Sequence, residues 1–271
     1  RDVVRGLNNV AACLAELGRM EEAMPQLEAS VVICRRIYKG DHPEIASGLN
    51  NLATCLEVSG RSAEALPKFE EALAMHSRLY QGDHPDVAKD LSNLGACLYS
   101  LGRYPEALPQ SEASLAMSKR LYKGNHRALA TGLNNLALCL DALGRSEDAL
   151  PMVEAALTMR RKLLPETHAD VQTTRINLGR VLIGMHRFSE AEKLLLNTQE
   201  PVEHLPMISA KWKRLNLEGL VKLYESRHAA EPQKGYNKKV EQWRMKLKAW
   251  QATTQPSTRA TTTSQPGAMQ R

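Results

Sequence analysis

Apolar residues recur along this chain with a period near 3.6. Leu49, Leu52, Ala53 and Leu56 stand at i, i+3, i+4 and i+7, the spacing that lines one face of an amphipathic helix. Gly60 and Arg61 interrupt the run, glycine being the usual residue just past a helix end because it takes positive φ without strain. A second amphipathic stretch opens at about Ser62, its expected N-cap, with Ala65, Phe69, Ala72 and Leu73 on the inner side. Pro67 falls about one turn into it, where it removes one backbone hydrogen bond and bends the entry without stopping the helix. Asp41-His42-Pro43 closes the unit. The residue before proline is driven out of the helical region, while proline pre-sets the first turn of the next helix. No stretch shows the period of two that a half-buried strand needs.

The same frame returns every 42 residues. Cys13, Cys55, Cys97 and Cys139 keep that spacing, as do Gly18, Gly60, Gly102 and Gly144, and Pro25, Pro67, Pro109 and Pro151. A blurred fifth copy carries Asn177, Leu178 and Gly179 in register. A period of this size marks a solenoid, in which each unit buries its apolar face against its neighbours. The expected fold is therefore all-α: a right-handed α-solenoid of five to six helix-turn-helix repeats with an atypical C-terminal cap. Residues 1–198 make five repeats and 199–250 a degenerate capping helix pair, with Trp212, Trp243 and Trp250 covering the last apolar edge. The Thr, Ser, Gln and Pro tract of 251–271 has nothing to bury and is expected to be disordered.

Composition changes this picture little. Aromatics are only 4% of 271 residues, so Leu, Ala, Val and Met must build the core. The net charge of +6 is concentrated after residue 200, where 13 Lys and Arg face 5 Asp and Glu. No signal peptide and no apolar run long enough for a membrane span is legible, so a soluble, cytoplasmic protein is expected. The chain opens on Arg1 in the middle of a helical pattern, as a piece of a longer protein would. Cysteines at equivalent places in successive units lie too far apart to pair, and are read as small buried hydrophobes in a reducing compartment. His42, His84, His126 and His168 share the period and are given structural roles in the loops, not a metal cluster.

No phosphate-binding glycine loop, zinc-protease helix, paired-cysteine motif or nucleophile elbow occurs. Neither catalytic residues, metal ligands nor a cofactor are expected, and the chain is read as a non-enzyme. What the repeat does supply is a polar ladder: Asn8 and Asn9, Asn50 and Asn51, Ser92 and Asn93, Asn134 and Asn135, then Asn177. Counted from Leu49, Asn50 and Asn51 project roughly 100° and 200° around the helix, away from the seam with its partner. An asparagine amide both donates and accepts, so such a row can either satisfy an extended ligand backbone or bond neighbouring helices across the stack. Arg5 and Lys89, three residues before the ladder in their units, and Arg180 beside it would favour a ligand with acidic residues.

The frame of Leu49, Leu52, Ala53, Leu56, Ala65 and Phe69 resembles the tetratricopeptide repeat. With its 42-residue length, LNNLA, GR-x2-EA-x-P and GDHP it resembles the kinesin light chain type. That resemblance implies a first helix lining a concave surface and asparagines that hold a peptide backbone there. It implies a non-catalytic protein-interaction scaffold whose partner is a protein or peptide. A second reading comes from LVKLYESRHAAEPQKGYNKKVEQWRMKLKAW, which looks like the last repeat of docking arrays in large bacterial serine/threonine kinases, here without the catalytic domain. Nucleic-acid binding through the basic segment 211–248 is the weakest reading, because its tryptophans already serve as caps.

Overall fold

The computed structural model describes residues 2–204 and 210–254, and side chains throughout these except at 16, 199–204, 210–212 and 253–254. Among the described residues the chain forms twelve α-helices and no strand. The first unit holds α1 (Asp2–Glu16) and α2 (Met20–Ile37), the second α3 (Pro43–Val58) and α4 (Ser62–Leu79), the third α5 (Pro85–Ser100) and α6 (Tyr104–Leu121). The fourth holds α7 (Arg127–Ala142) and α8 (Ser146–Leu163), the fifth α9 (Ala169–Gly184) and α10 (Phe188–His204), and α11 (Ala210–Ala230) with α12 (Asn237–Thr254) completes the array. Each helix packs on the next in chain order, as a solenoid requires.

From the second unit to the fifth, the first helix starts on a histidine. Nδ1 of His42, His84, His126 and His168 accepts the amide N–H two residues further on, at 3.1–3.2 Å. These imidazoles thus cap otherwise unpaired helix donors. Tyr38, Tyr80 and Tyr122 lie flat on His42, His84 and His126 at centroid distances of 3.4, 3.5 and 3.7 Å. The turn that ends the first helix needs a left-handed residue: Gly18, Gly60, Gly102 and Gly144 have φ of 74–78°, and His186 takes the fifth place at 59°.

Ser62 is not the cap expected of it. Arg61 occupies the N-cap without a side-chain capping bond, and Ser62 is already helical. The chain re-enters a helix directly after the left-handed glycine, which moves the cap one residue earlier. Arg61 instead bonds Glu64 at 2.7 and 2.8 Å, and Arg19–Glu22, Arg103–Glu106, Arg145–Asp148 and Arg187–Glu190 repeat the pair. These pairs are exposed, and solvent screening leaves them little weight in stability. Pro67 lies within an unbroken α4.

Small residues set the helix spacing. Ala23, Ala65, Ala107, Ala149 and Ala191, one per unit, are all fully buried, facing Ala or Gly on the first helix. At Gly95 a Cβ would come within 2.9 Å of Ser111 Oγ, so this seam tolerates nothing larger. Successive first helices also touch one another, α3 to α5, α5 to α7, α7 to α9 and α9 to α11, whereas successive second helices make no comparable contact. The first helices therefore line the inside of the curve.

Cys55, Cys97 and Cys139 are buried as expected, but Cys13 is exposed. Its counterparts reach the preceding unit, Cys97 Sγ to Ser62 O at 3.3 Å and Cys139 Sγ to Ser111 Oγ at 3.6 Å. Among the described residues, no helix packs on that side of α1. At the other end Trp243 is buried and Trp250 half-buried against the same cluster; the Trp212 side chain and residues 255–271 lie outside the described residues.

Candidate interaction site

On the inner face the paired polar positions form rungs between units. Asn93 Nδ2 donates to Asn50 Oδ1 at 2.8 Å, Asn135 Nδ2 to Ser92 Oγ at 3.2 Å, and Asn177 Nδ2 to Asn134 Oδ1 at 2.9 Å. Each rung joins the second polar position of one unit to the first of the unit before. Asn50, Asn134 and Asn177 are buried; Asn8, Ser92, Asn93 and Asn135 are half-buried; Asn9 and Asn51 are exposed. Both ends of the ladder fray: Asn8 Oδ1 and Asn216 Oδ1 are buried without a partner, and Ile176, where Asn134 stands one unit earlier, offers Asn216 Nδ2 no acceptor. An amide can make up to four hydrogen bonds, so a single rung leaves Asn93 and Asn135 with unused capacity.

The basic positions divide three ways. Arg5 is exposed and paired with Asp2 at 2.8 Å. Arg180 donates to Tyr99 Oη at 2.8 Å, tying α9 to α5 across α7; burial pushes the Tyr99 phenol up, and Arg180 works against it. Lys89 is exposed and has no ion-pair partner among the described residues. Lys89, Ser92, Asn93 and Thr131 line a cleft of about 400 Å³ between α5 and α7, a volume in the range of small-ligand sites.

Beneath the ladder, two of the second helices send a buried polar side chain between two first helices. In the second unit this is His76, whose Nδ1 lies 2.6 Å from Asp90 Oδ2, while Asp90 Oδ1 accepts from Asn50 Nδ2. Burial alone would pull the imidazole pKa down, but the hydrogen bond and charge of Asp90 outweigh it and the value is raised. In the fourth unit it is Arg160, which donates to Asp170 O at 2.8 Å, Thr174 Oγ1 at 2.5 Å and Thr131 Oγ1 at 3.3 Å. Burial lowers the Arg160 pKa, opposed by Asp170. These interlocks were not read from the sequence, although one signal was there: Cys34, His76, Ser118 and Arg160 hold equivalent places and differ completely in a frame that otherwise repeats.

A tetratricopeptide repeat family model matches residues 2–78, 44–110 and 86–162. The chain belongs to the tetratricopeptide repeat family. Among solved structures it is similar to BtubC from P. vanneervenii, at 20% identity and a TM-score of 0.63 over 93% of this chain and 98% of that one. The nearly identical TPR-like repeats of a Podosopora anserina kinesin light chain homologue align at 21% identity and TM-score 0.59, over 73% and 94%. A Rap protein complexed with competence and sporulation factor aligns at 10% and 0.65, over 93% and 75%. At these identities the likeness is one of fold. No curated protein matches the sequence. Among the described residues of this tetratricopeptide array, no helix is long and apolar enough to cross a membrane.

The basic C-terminal segment is largely spoken for. Arg227 and Lys239 converge on Glu192 at 2.7 and 3.0 Å, Arg244 pairs with Glu225 at 2.6 Å, and Lys246 lies 4.1 Å over the Trp243 ring. Its cations hold the cap to α10 and to itself.

Proposed function

We propose that this tetratricopeptide array is a non-catalytic interaction module that holds an extended peptide segment of a partner protein along the inner face of α3, α5, α7 and α9. The observation that carries this reading is the coincidence of an inter-unit amide ladder having spare hydrogen-bond capacity with a cleft beside it, both on the face where successive first helices converge. The ladder serves the fold and the ligand at once: its rungs fix the spacing of the first helices, and the remaining amide groups of Asn93 and Asn135 meet a peptide backbone. Unpaired Lys89 favours a ligand with acidic residues. The Rap complex, with a factor bound to a similar fold, is consistent with such a use of the array.

Selection of random 12-residue peptides on the intact chain tests this. Selected peptides are expected to bind at least tenfold more weakly to a variant carrying Asn93→Ala and Asn135→Ala, and unchanged to Glu71→Ala on the outer second helices, with helicity equal in all three. Peptides that bind both variants alike would place their site elsewhere and sink the reading.

A further inference from the structure

From α2–α3 to α8–α9, the junctions between a second helix and the next first helix are filled by different side chains. Between α2 and α3, Val31 lies within 2.9 Å of where a Cβ on Gly48 would sit. Between α4 and α5 stands the His76–Asp90 pair, and between α8 and α9 Arg160 with Thr174. The places equivalent to those two pairs between α6 and α7 are Ser118 and Gly132, the two smallest polar and apolar choices. Leu115 packs over Gly132, 3.3 Å from where a Cβ there would sit, and the cleft opens beside this contact, lined by Ser114 and Ser118. Ser114 donates to Ala88 O. Ser118 is only 2% exposed, yet its hydroxyl has no hydrogen-bond partner among the described residues. A hydroxyl that has no protein partner and faces a cleft is free to donate to an acceptor that enters it.

The charges around the opening are unequal. Lys89 and Arg127 stand at the rim, exposed and without ion-pair partners among the described residues. Asp86 opposes them and lies 3.6 Å from His84 Nδ1; the remaining titratable walls are Tyr122 and His126, stacked on each other, and His126 spends its Nδ1 on the Ala128 N–H. The first turn of α7 also forms part of the wall, and its amide end favours an anion. Behind Thr131 lies the Arg160 guanidinium, bonded only to neutral oxygens.

We propose that this cleft is a socket for one anionic side chain, a carboxylate or phosphoryl group, which accepts from Ser118 and is clamped at the rim by Lys89 and Arg127. The proposal rests on the peptide-binding reading and adds to it which chemistry is selected and where. Resonances of Ser114, Ser118 and Thr131 in the isotopically labelled full chain report on the socket directly. N-acetyl-glutamate amide and N-acetyl-phosphoserine amide are expected to shift them saturably and at least tenfold more tightly than N-acetyl-glutamine amide; which acid binds better identifies the group. Ser118→Arg, which fills the socket as Arg160 fills its own, is expected to abolish the response. Lys89→Gln with Arg127→Gln, confined to the exposed rim, should weaken it at least tenfold without touching the core. No saturable response, an equal response to the glutamine compound, or indifference to both variants would overturn the proposal. Anion binding in the socket with no peptide selected would support it and remove the peptide reading. Peptides lost on the Asn93/Asn135 variant but not enriched in Asp, Glu or phosphoserine mimics would do the reverse.

Discussion

The two ends of this array solve the same problem in opposite ways. In every interior unit the first helix buries a stripe against the unit before it: Ile45 and Leu52 are 2% and 3% exposed, and Val87 and Leu94 6% each. On α1 the equivalent Val3 and Val10 are 63% and 50% exposed, and Leu17 beyond them 70%. The face of α1 thus has the composition of an interior surface. The trailing edge is closed. There α11 and α12 bury Leu220, Leu223, Tyr224 and Trp243 over α9 and α10, while Glu192, on α10, gathers Tyr224, Arg227 and Lys239. The comparison teaches that the repeat specifies its own neighbour but not its own end. An end has to be written separately, with aromatic bulk inside and paired charge outside.

The largest test of that contrast is Trp243→Ala, expected to lose about 3–5 kcal/mol as a cavity opens under the cap; denaturant unfolding would measure it, and a change within experimental error would mean that α12 caps nothing. Leu52→Ala should cost about 3 kcal/mol in the interior of the array, as a deleted buried leucine does. Glu192→Gln should cost about 2 kcal/mol by weakening the charged hub of the cap. That variant also carries the pH dependence. Burial by itself would raise the Glu192 pKa above 4.5, but the bonds from Tyr224, Lys239 and Arg227 outweigh it and the value is lowered. A depressed carboxylate stabilises fully above pH 4.5 and loses its contribution as pH falls through the folded value. The wild-type chain should therefore weaken more than the variant on acidification below pH 4.5, and parallel stability curves would show that Glu192 holds no net charge advantage.

At the open end the expected effects are small. Val10→Ala, matching Leu52→Ala one unit earlier, should stay within about 0.5 kcal/mol; a loss as large as that of Leu52→Ala would show that α1 is covered in solution. Cys13→Ser should be silent in stability and should remove the fastest-reacting thiol. Burial, reinforced by Glu57, pushes the Cys97 thiol up to about 12, so in the native chain a thiol reagent should modify Cys13 long before Cys97. Equal rates would mean that the seam between α4 and α5 opens as easily as the edge does.

Much of this was legible in the chain itself. The 42-residue period, the 3.6 periodicity and the glycine after each first helix are local signals, and local signals dictate helix pairs directly. The C-terminal cap could be read from the decay of the pattern and the arrival of three tryptophans. The candidate site was legible in part: the ladder positions and Lys89 do share the inner face. The 43-residue rungs were not legible, because a hydrogen bond between first helices depends on how far one unit is rotated and shifted against the next. Nor was the demotion of Arg180, whose guanidinium turns out to bond Tyr99 two units away.

By itself, then, the sequence determined the architecture: helix pairs, their order, their number and the faces they bury, since each follows from periodicity within a few turns of chain. The tertiary structure alone decided where a ligand can enter. Ser118 reads simply as a small residue until stacking sets it at the base of a cleft walled by Lys89 and Ser92 of α5 and by Arg127 and Thr131 of α7. A cleft is made by side chains from different helices, and only the packing of those helices brings its walls together.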